Sequence, residues 1–192
     1  MRTGIIVLIV LALLVMVGCG KYNGMVQEDE TVKNKWNTVQ SAYQRRADLI
    51  PNLVSTVKGA ANFETTTLTK VMEARASATQ IKVDANDLTP EKVQQYQAAQ
   101  GQLSQALGRL LAVSEAYPDL KANQNFRDLQ VQLEGTENRI NVARNDFNDA
   151  VASYNKTIRT FPNNIVAGVT GFKQKQGFTA DAAAQEAPKV QF

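Results

Sequence analysis

The sequence predicts an all-α fold: a long antiparallel up-and-down four-helix bundle behind an N-terminal hydrophobic signal or anchor segment. Three observations predict it. Apolar residues beyond residue 21 recur at intervals of three and four. No stretch of the body alternates as a strand would. Prolines at 51, 90, 118 and 162 punctuate the pattern at helix-length intervals. The expected organisation is a leader over 1–20, a helical body over 21–162 and a partly irregular extension over 163–192.

The leader contains an unbroken apolar run, Ile5 to Val17, preceded by Arg2 and followed by Gly18, Cys19, Gly20 and Lys21. A short positive start, an apolar middle and a small-residue end have the shape of a secretory leader. The uncharged stretch from Gly4 to Gly20 is 17 residues, the lower limit for a bilayer-spanning helix. A core helix of a soluble domain would show a polar face, and this run has none. Met16-Val17-Gly18-Cys19 resembles a bacterial lipoprotein signal, with Met16 where leucine is usual. Cys19 is therefore a candidate for lipid attachment after cleavage; an uncleaved single-pass anchor is the alternative. For an uncleaved anchor, Lys21, Lys33 and Lys35 against Arg2 slightly favour a cytoplasmic body. A processed Cys19 requires the body outside. The expected location is the bacterial cell envelope, membrane-anchored, with the body extracytoplasmic.

The first body helix carries the stripe Val32, Trp36, Val39 and Tyr43. Pro51 then stands as a helix-starting or kinking proline, and a tight turn there is the preferred reading. The second stripe is Leu53, Val57, Ala60, Phe63 or Glu64, Leu68, Val71, Ala74 and Ala78. Thr89-Pro90-Glu91 is a restart, with Thr89 as cap, proline in the first position and acid in the first turn. Val93, Tyr96, Leu103, Leu107, Leu110, Ser114 and Tyr117 follow. After Pro118 the last seam is the cleanest: Phe126, Leu129, Leu133, Thr136, Ile140, Ala143, Phe147, Ala150 or Val151, Tyr154 and Ile158. Phe161-Pro162-Asn163-Asn164 ends it. Ile165 to Phe172 is expected to form a short helix or pack on the end of the rod, and Asp181 to Phe192 to form a loose tail.

Composition excludes several function classes. The chain has no histidine, which removes His-dependent nucleophilic catalysis and imidazole metal sites. Its single cysteine, Cys19, allows neither an intrachain disulfide nor a thiolate cluster. Lys+Arg 21 against Asp+Glu 18 leaves a nearly neutral body without the basic stripe that nucleic acid requires. No cofactor, metal or catalytic residue is expected, and no small-molecule substrate. The polar residues that stand out are Arg45, Arg46, Asp48, Asn52, Glu137 and Arg144. Interhelical ion pairs and amide bonds that fix register are the favoured reading. An anion-binding spot near Arg45 and Arg46 is the other. Asn23, Asn155, Asn163 and Asn164 read as helix caps.

Tyr43-Gln44-Arg45-Arg46-Ala47-Asp48-Leu49-Ile50-Pro51-Asn52-Leu53-Val54-Ser55-Thr56-Val57-Lys58-Gly59 resembles the signature of the LemA family. So do Glu73-Ala74-Arg75, Tyr117-Pro118-Asp119-Leu120, Leu133-Glu134-Gly135-Thr136-Glu137-Asn138-Arg139-Ile140, Ala143-Arg144, Asn148, Tyr154-Asn155 and Phe161-Pro162. The likeness runs from about residue 20 to 178. It implies a membrane segment followed by a helical bundle, and it implies no reaction. The expected function is a non-enzymatic, membrane-tethered scaffold or adaptor whose partner is an envelope or membrane protein. An envelope lipoprotein that binds a ligand near Arg45 and Arg46 is the alternative.

Overall fold

The computed structural model describes residues 2–59 and 64–179. They form six helices: α1 (Arg2–Lys58), α2 (Thr65–Gln80), α3 (Pro90–Ser114), α4 (Pro118–Ala122), α5 (Gln124–Arg159) and α6 (Asn163–Thr170). An extended strap, residues 172–179, follows α6. Ala60 and Phe63 of the second stripe and the expected loose tail over 181–192 lie outside the described residues.

The four-helix expectation is corrected. Pro51 does not separate two helices; it lies inside α1, a single helix of 57 residues, about 85 Å long at 1.5 Å per residue. With only 16 and 25 residues, α2 and α3 are too short to accompany α1 and α5 along their length. The result is two helix pairs, α1 with α5 and α2 with α3, plus two short helices. Residue numbers rise on α1 as they fall on α5, from Lys35–Asp146 to Arg46–Glu137, so this pair is antiparallel.

Why the helix survives Pro51 is visible in its partner. Proline lacks the N–H that would bond the carbonyl four residues back, which leaves the Ala47 carbonyl without its usual donor. Arg75 on α2 supplies one: its Nε–H donates to the Ala47 oxygen at 2.8 Å. A side chain 28 positions away thus repairs the ladder, which local sequence rules cannot anticipate. Arg75→Met is expected to lower stability by about 1–3 kcal/mol. The penalty should shrink when Pro51→Ala restores a backbone donor, as a double-mutant cycle of urea unfolding in detergent would measure. Equal penalties in both backgrounds would contradict this account.

The restart at Thr89 acts as expected, whereas Asn23 lies inside α1 and Asn163 is the first residue of α6, with Pro162 at the cap position. Thr89 caps α3, its hydroxyl accepting from the Lys92 N–H, and Pro90 is the first helical residue. Asn123 caps α5 through the Phe126 N–H. The α5 seam is buried from Phe126 to Ile158, with only Leu129 half-buried. The core divides into two apolar clusters. One, around Met25, Trp36, Tyr96, Phe147, Tyr154 and Phe178, lies toward the apolar run. The other, around Ile50, Leu53, Leu68, Leu103, Leu110 and Phe126, lies at the far end.

Among its described residues, the apolar run is not packed into the body. Its described large side chains, such as Ile6, Leu8 and Val15, are mostly exposed. Among the described residues, α1 is the one helix long and apolar enough to cross a membrane. A continuous exposed apolar surface of this size belongs in lipid.

Candidate functional site

Between the two apolar clusters lies a polar layer built on Arg46. Its residue is 2% exposed. Nη1 donates to the Ser104 hydroxyl at 2.7 Å and to Glu137 Oε2 at 3.0 Å. Nη2 donates to the Gln100 side-chain oxygen at 2.7 Å and to its main-chain carbonyl at 3.1 Å. Gln100 in turn donates to the Ala78 carbonyl, so α1, α2, α3 and α5 meet in one network. The Arg46 Nε–H finds no acceptor among the described residues. The guanidinium carbon instead stands 5.0 Å from the centre of the Tyr43 ring. Such a layer holds a long helix pair in one register, because sliding it would strand a buried cation.

Of the six polar residues singled out from sequence, only Arg46 and Glu137 meet. Arg45, Asp48 and Asn52 lie on the exposed face of α1, where Asp48 accepts from the Gln44 amide at 2.8 Å. With Asn37, Ser41 and Gln44 they make a strip of exposed polar side chains in which Arg45 and Asp48 carry opposite charges and the other four are uncharged. Arg144 is elsewhere again, its guanidinium over the Phe178 ring at 4.9 Å. Cys19 is exposed on α1, three residues before Tyr22. No group of three or more potential metal ligands occurs among the described residues.

Periodicity gave no hint of the strap. Asn148 brackets Phe178, accepting from its N–H at 2.8 Å and donating to its carbonyl at 3.1 Å. Asn155 brackets Lys175 in the same way, at 2.9 and 2.7 Å. These two asparagines are two helical turns apart, about 10.5 Å. The two strap residues are three apart in extended chain, about 10 Å. The match lets one helix face grip the strap twice. Gln97 on α3 adds a third amide, donating to the Thr179 carbonyl at 2.8 Å. Asn155 is thus a strap clamp rather than the cap its position suggested. Phe178 fills the space beside Trp36 and Phe147, with ring centres at 5.8 and 5.6 Å.

Gly177 is the local signal that sequence reading missed. A Cβ there would stand 2.5 Å from Asn148 Oδ1 and 3.1 Å from its Cγ, so only glycine lets the clamp close. Gly177→Ala is expected to displace Asn148, to cost about 1–2 kcal/mol through the two hydrogen bonds lost, and to speed proteolysis within 172–179. An unchanged digestion rate would count against the clamp.

Charge ties the strap down at its other end. Lys175 pairs with Asp29 at 2.9 Å, and Lys33 holds the second Asp29 oxygen at the same distance. Burial works to raise the Asp29 carboxyl, but hydrogen bonds from Lys175 and Lys33 outweigh it and hold the pKa below its ordinary 3.8. Hydrogen bonds donated to Glu30 and Asp29 push Lys33 up to about 12. Burial pushes the Tyr154 hydroxyl, which donates to the Lys173 carbonyl, up to about 12. A depressed carboxylate pKa stabilises the fold above the unfolded value and loses that contribution as pH falls through the folded one. Strap protection against proteolysis should accordingly hold at neutral pH and weaken below about pH 4.

With this geometry in place, the comparisons are specific. The LemA family model matches residues 35–192, most of the chain. The chain belongs to the LemA family. Protein LemA of Metamycoplasma hominis is 27% identical over 148 residues, covering 77% of this chain and 64% of that protein. The magnetosome proteins MamQ 1 and MamQ 2 of Paramagnetospirillum magneticum are each 28% identical over 179 residues, covering 82% of this chain and 64% of their own length. The chain thus spans somewhat less than two thirds of the curated relatives it matches. As a LemA-family member it is a helical protein whose apolar N-terminal helix is consistent with membrane association. The matched region begins at Lys35 and so contains the polar layer, the α1 strip and the strap.

Proposed function

We propose that this LemA-family chain is a membrane-tethered strut that presents the polar strip of α1 to an envelope protein. The observation that carries the reading is the continuity of α1, which runs from the apolar segment through the whole core without a break. A jointed tether would let the body fold back on the membrane; one helix, braced by α5, sets the height of the strip above the bilayer. The strip fits a protein partner because Asn37, Ser41, Gln44 and Asn52 are uncharged and the charges of Arg45 and Asp48 offset each other, in keeping with the depletion of charge at the centres of protein interfaces. The anion-binding alternative has less support, since the Arg46 guanidinium is already engaged by Glu137, Gln100 and Ser104.

Photocrosslinking side chains placed one at a time at Ser41, Gln44 and Asp48, and for control at Gln105 on α3, test this in native membranes. The reading expects one protein adduct shared by the three α1 positions and absent at Gln105. Adducts distributed equally over both helices, or none on α1, would contradict it.

A further inference from the structure

Outside the apolar run, the exposed large apolar side chains are unevenly placed. Phe161 is 78% exposed, Ile165 59% and Val169 85%, and Tyr22 is exposed as well. The first three are spaced by four, so α6 and the turn before it carry one apolar stripe. The opposite face of α6 packs on the body through Ala167 and Val166.

The stripe lies at a particular level. The register of α5 along α1, carried on from Arg46–Glu137 and Lys35–Asp146, brings the end of α5 opposite residues 22–24. Phe172, just beyond α6, stands 5.8 Å from the Tyr22 ring. Tyr22 is five residues past Val17, the end of the apolar run, a rise of about 7.5 Å. That is the depth of a headgroup layer. The charge at this level is mixed but leans positive: Glu28 lies level with Lys156, and Asp87, near Phe172, is paired with Lys92. Residues 150–179 contain no acid, and Lys156, Arg159 and Lys173 are exposed there with Lys21 on α1. The nearby Asp29 and Glu30 are held by Lys33 and Lys175.

We infer that α6 is a second membrane contact. It lies in the headgroup layer of the bilayer that holds α1, with Phe161, Ile165 and Val169 toward the acyl chains and the lysines and Arg159 on anionic headgroups. The occupant of this surface is lipid. Two footholds on one bilayer fix the tilt and rotation of the rod, which a lone helix leaves free. The inference rests on the membrane location of α1 and is independent of which protein the strip meets. It holds equally for a spanning run and for a lipid-bearing Cys19, since both bring the same end of the body to the bilayer.

The test uses the full chain with Cys19→Ala, reconstituted into vesicles of phosphatidylcholine and phosphatidylglycerol. Single cysteines at Val169, at Met16 and at Val131, an exposed apolar position on α5 away from this end, carry an environment-sensitive fluorophore. Nitroxide-labelled lipids should quench the Val169 and Met16 labels several-fold more than the Val131 label, with blue-shifted emission at 169. A quenched Met16 label beside a Val169 label that behaves like Val131 would overturn the second contact and leave the anchor standing. Quenching at none of the three would remove the membrane location on which it rests. Repeating the comparison with Ile165→Cys guards against a local effect of one label.

Discussion

Trp36→Ala is expected to lower stability by about 3–5 kcal/mol, the range for deleting a large buried aromatic. The reason is the number of elements that converge on one indole. Trp36 is fully buried, its ring meets Tyr96 of α3, Phe147 of α5 and Phe178 of the strap, and its N–H donates to the Val83 carbonyl at 3.1 Å. That carbonyl also accepts from Gln40, which fastens the α2–α3 connection to α1. Removing the indole leaves a cavity where four segments meet, and no single neighbour can close it. Trp36→Phe should recover much of the packing and still lose the Val83 bond, about 1–2 kcal/mol. Urea unfolding of the detergent-solubilised chain, followed by far-ultraviolet circular dichroism, separates the three proteins. A Trp36→Ala midpoint close to the parent's would show that the strap and loop do not depend on this residue.

Glu137→Ala is expected to cost about 2–4 kcal/mol, and the direction of the asymmetry matters more than the size. Glu137 has a side chain that is 46% exposed, whereas that of Arg46 is 2% exposed. Removing the carboxylate therefore strands a buried cation, with only neutral acceptors on Gln100 and Ser104. Removing the cation returns Glu137 to water at little expense. Adding Arg46→Met to Glu137→Ala should consequently recover at least about 1 kcal/mol, because the uncompensated charge disappears and its desolvation with it. A double variant less stable than Glu137→Ala would mean that the arginine contributes chiefly through Gln100 and the Tyr43 ring.

What the sequence makes legible follows from the range over which each signal acts. The α5 seam is a local period on one helix, and it reads correctly from Phe126 to Ile158. Thr89 and Pro90 act within one turn, and they start α3 as their types dictate. Pro51 is a local signal too, but its outcome depends on Arg75, which reaches the freed Ala47 carbonyl from another helix. Counting two helices where α1 is one therefore follows from a rule that holds only when no distant donor intervenes. The strap is invisible for a related reason: extended chain gripped by Asn148, Asn155 and Gln97 has no period of its own. Among the singled-out polar residues, Arg46 and Glu137 meet across 91 positions. Arg45, adjacent to Arg46, points to the opposite environment, since one step along a helix turns a side chain by about 100°.

The continuity of α1 between bilayer and body is tested most directly by the height of Asn52 above the membrane. From Gly20 to Asn52 an unbroken helix rises about 48 Å, or about 45 Å at an ordinary tilt. A donor fluorophore on Asn52→Cys in the Cys19→Ala chain, with acceptors on the lipid headgroups of the proximal leaflet, reads that height by energy transfer. Weak transfer corresponding to about 45 Å is the predicted result. Strong transfer corresponding to less than about 25 Å would mean that the chain bends where it leaves the membrane, and the strut would have to be abandoned.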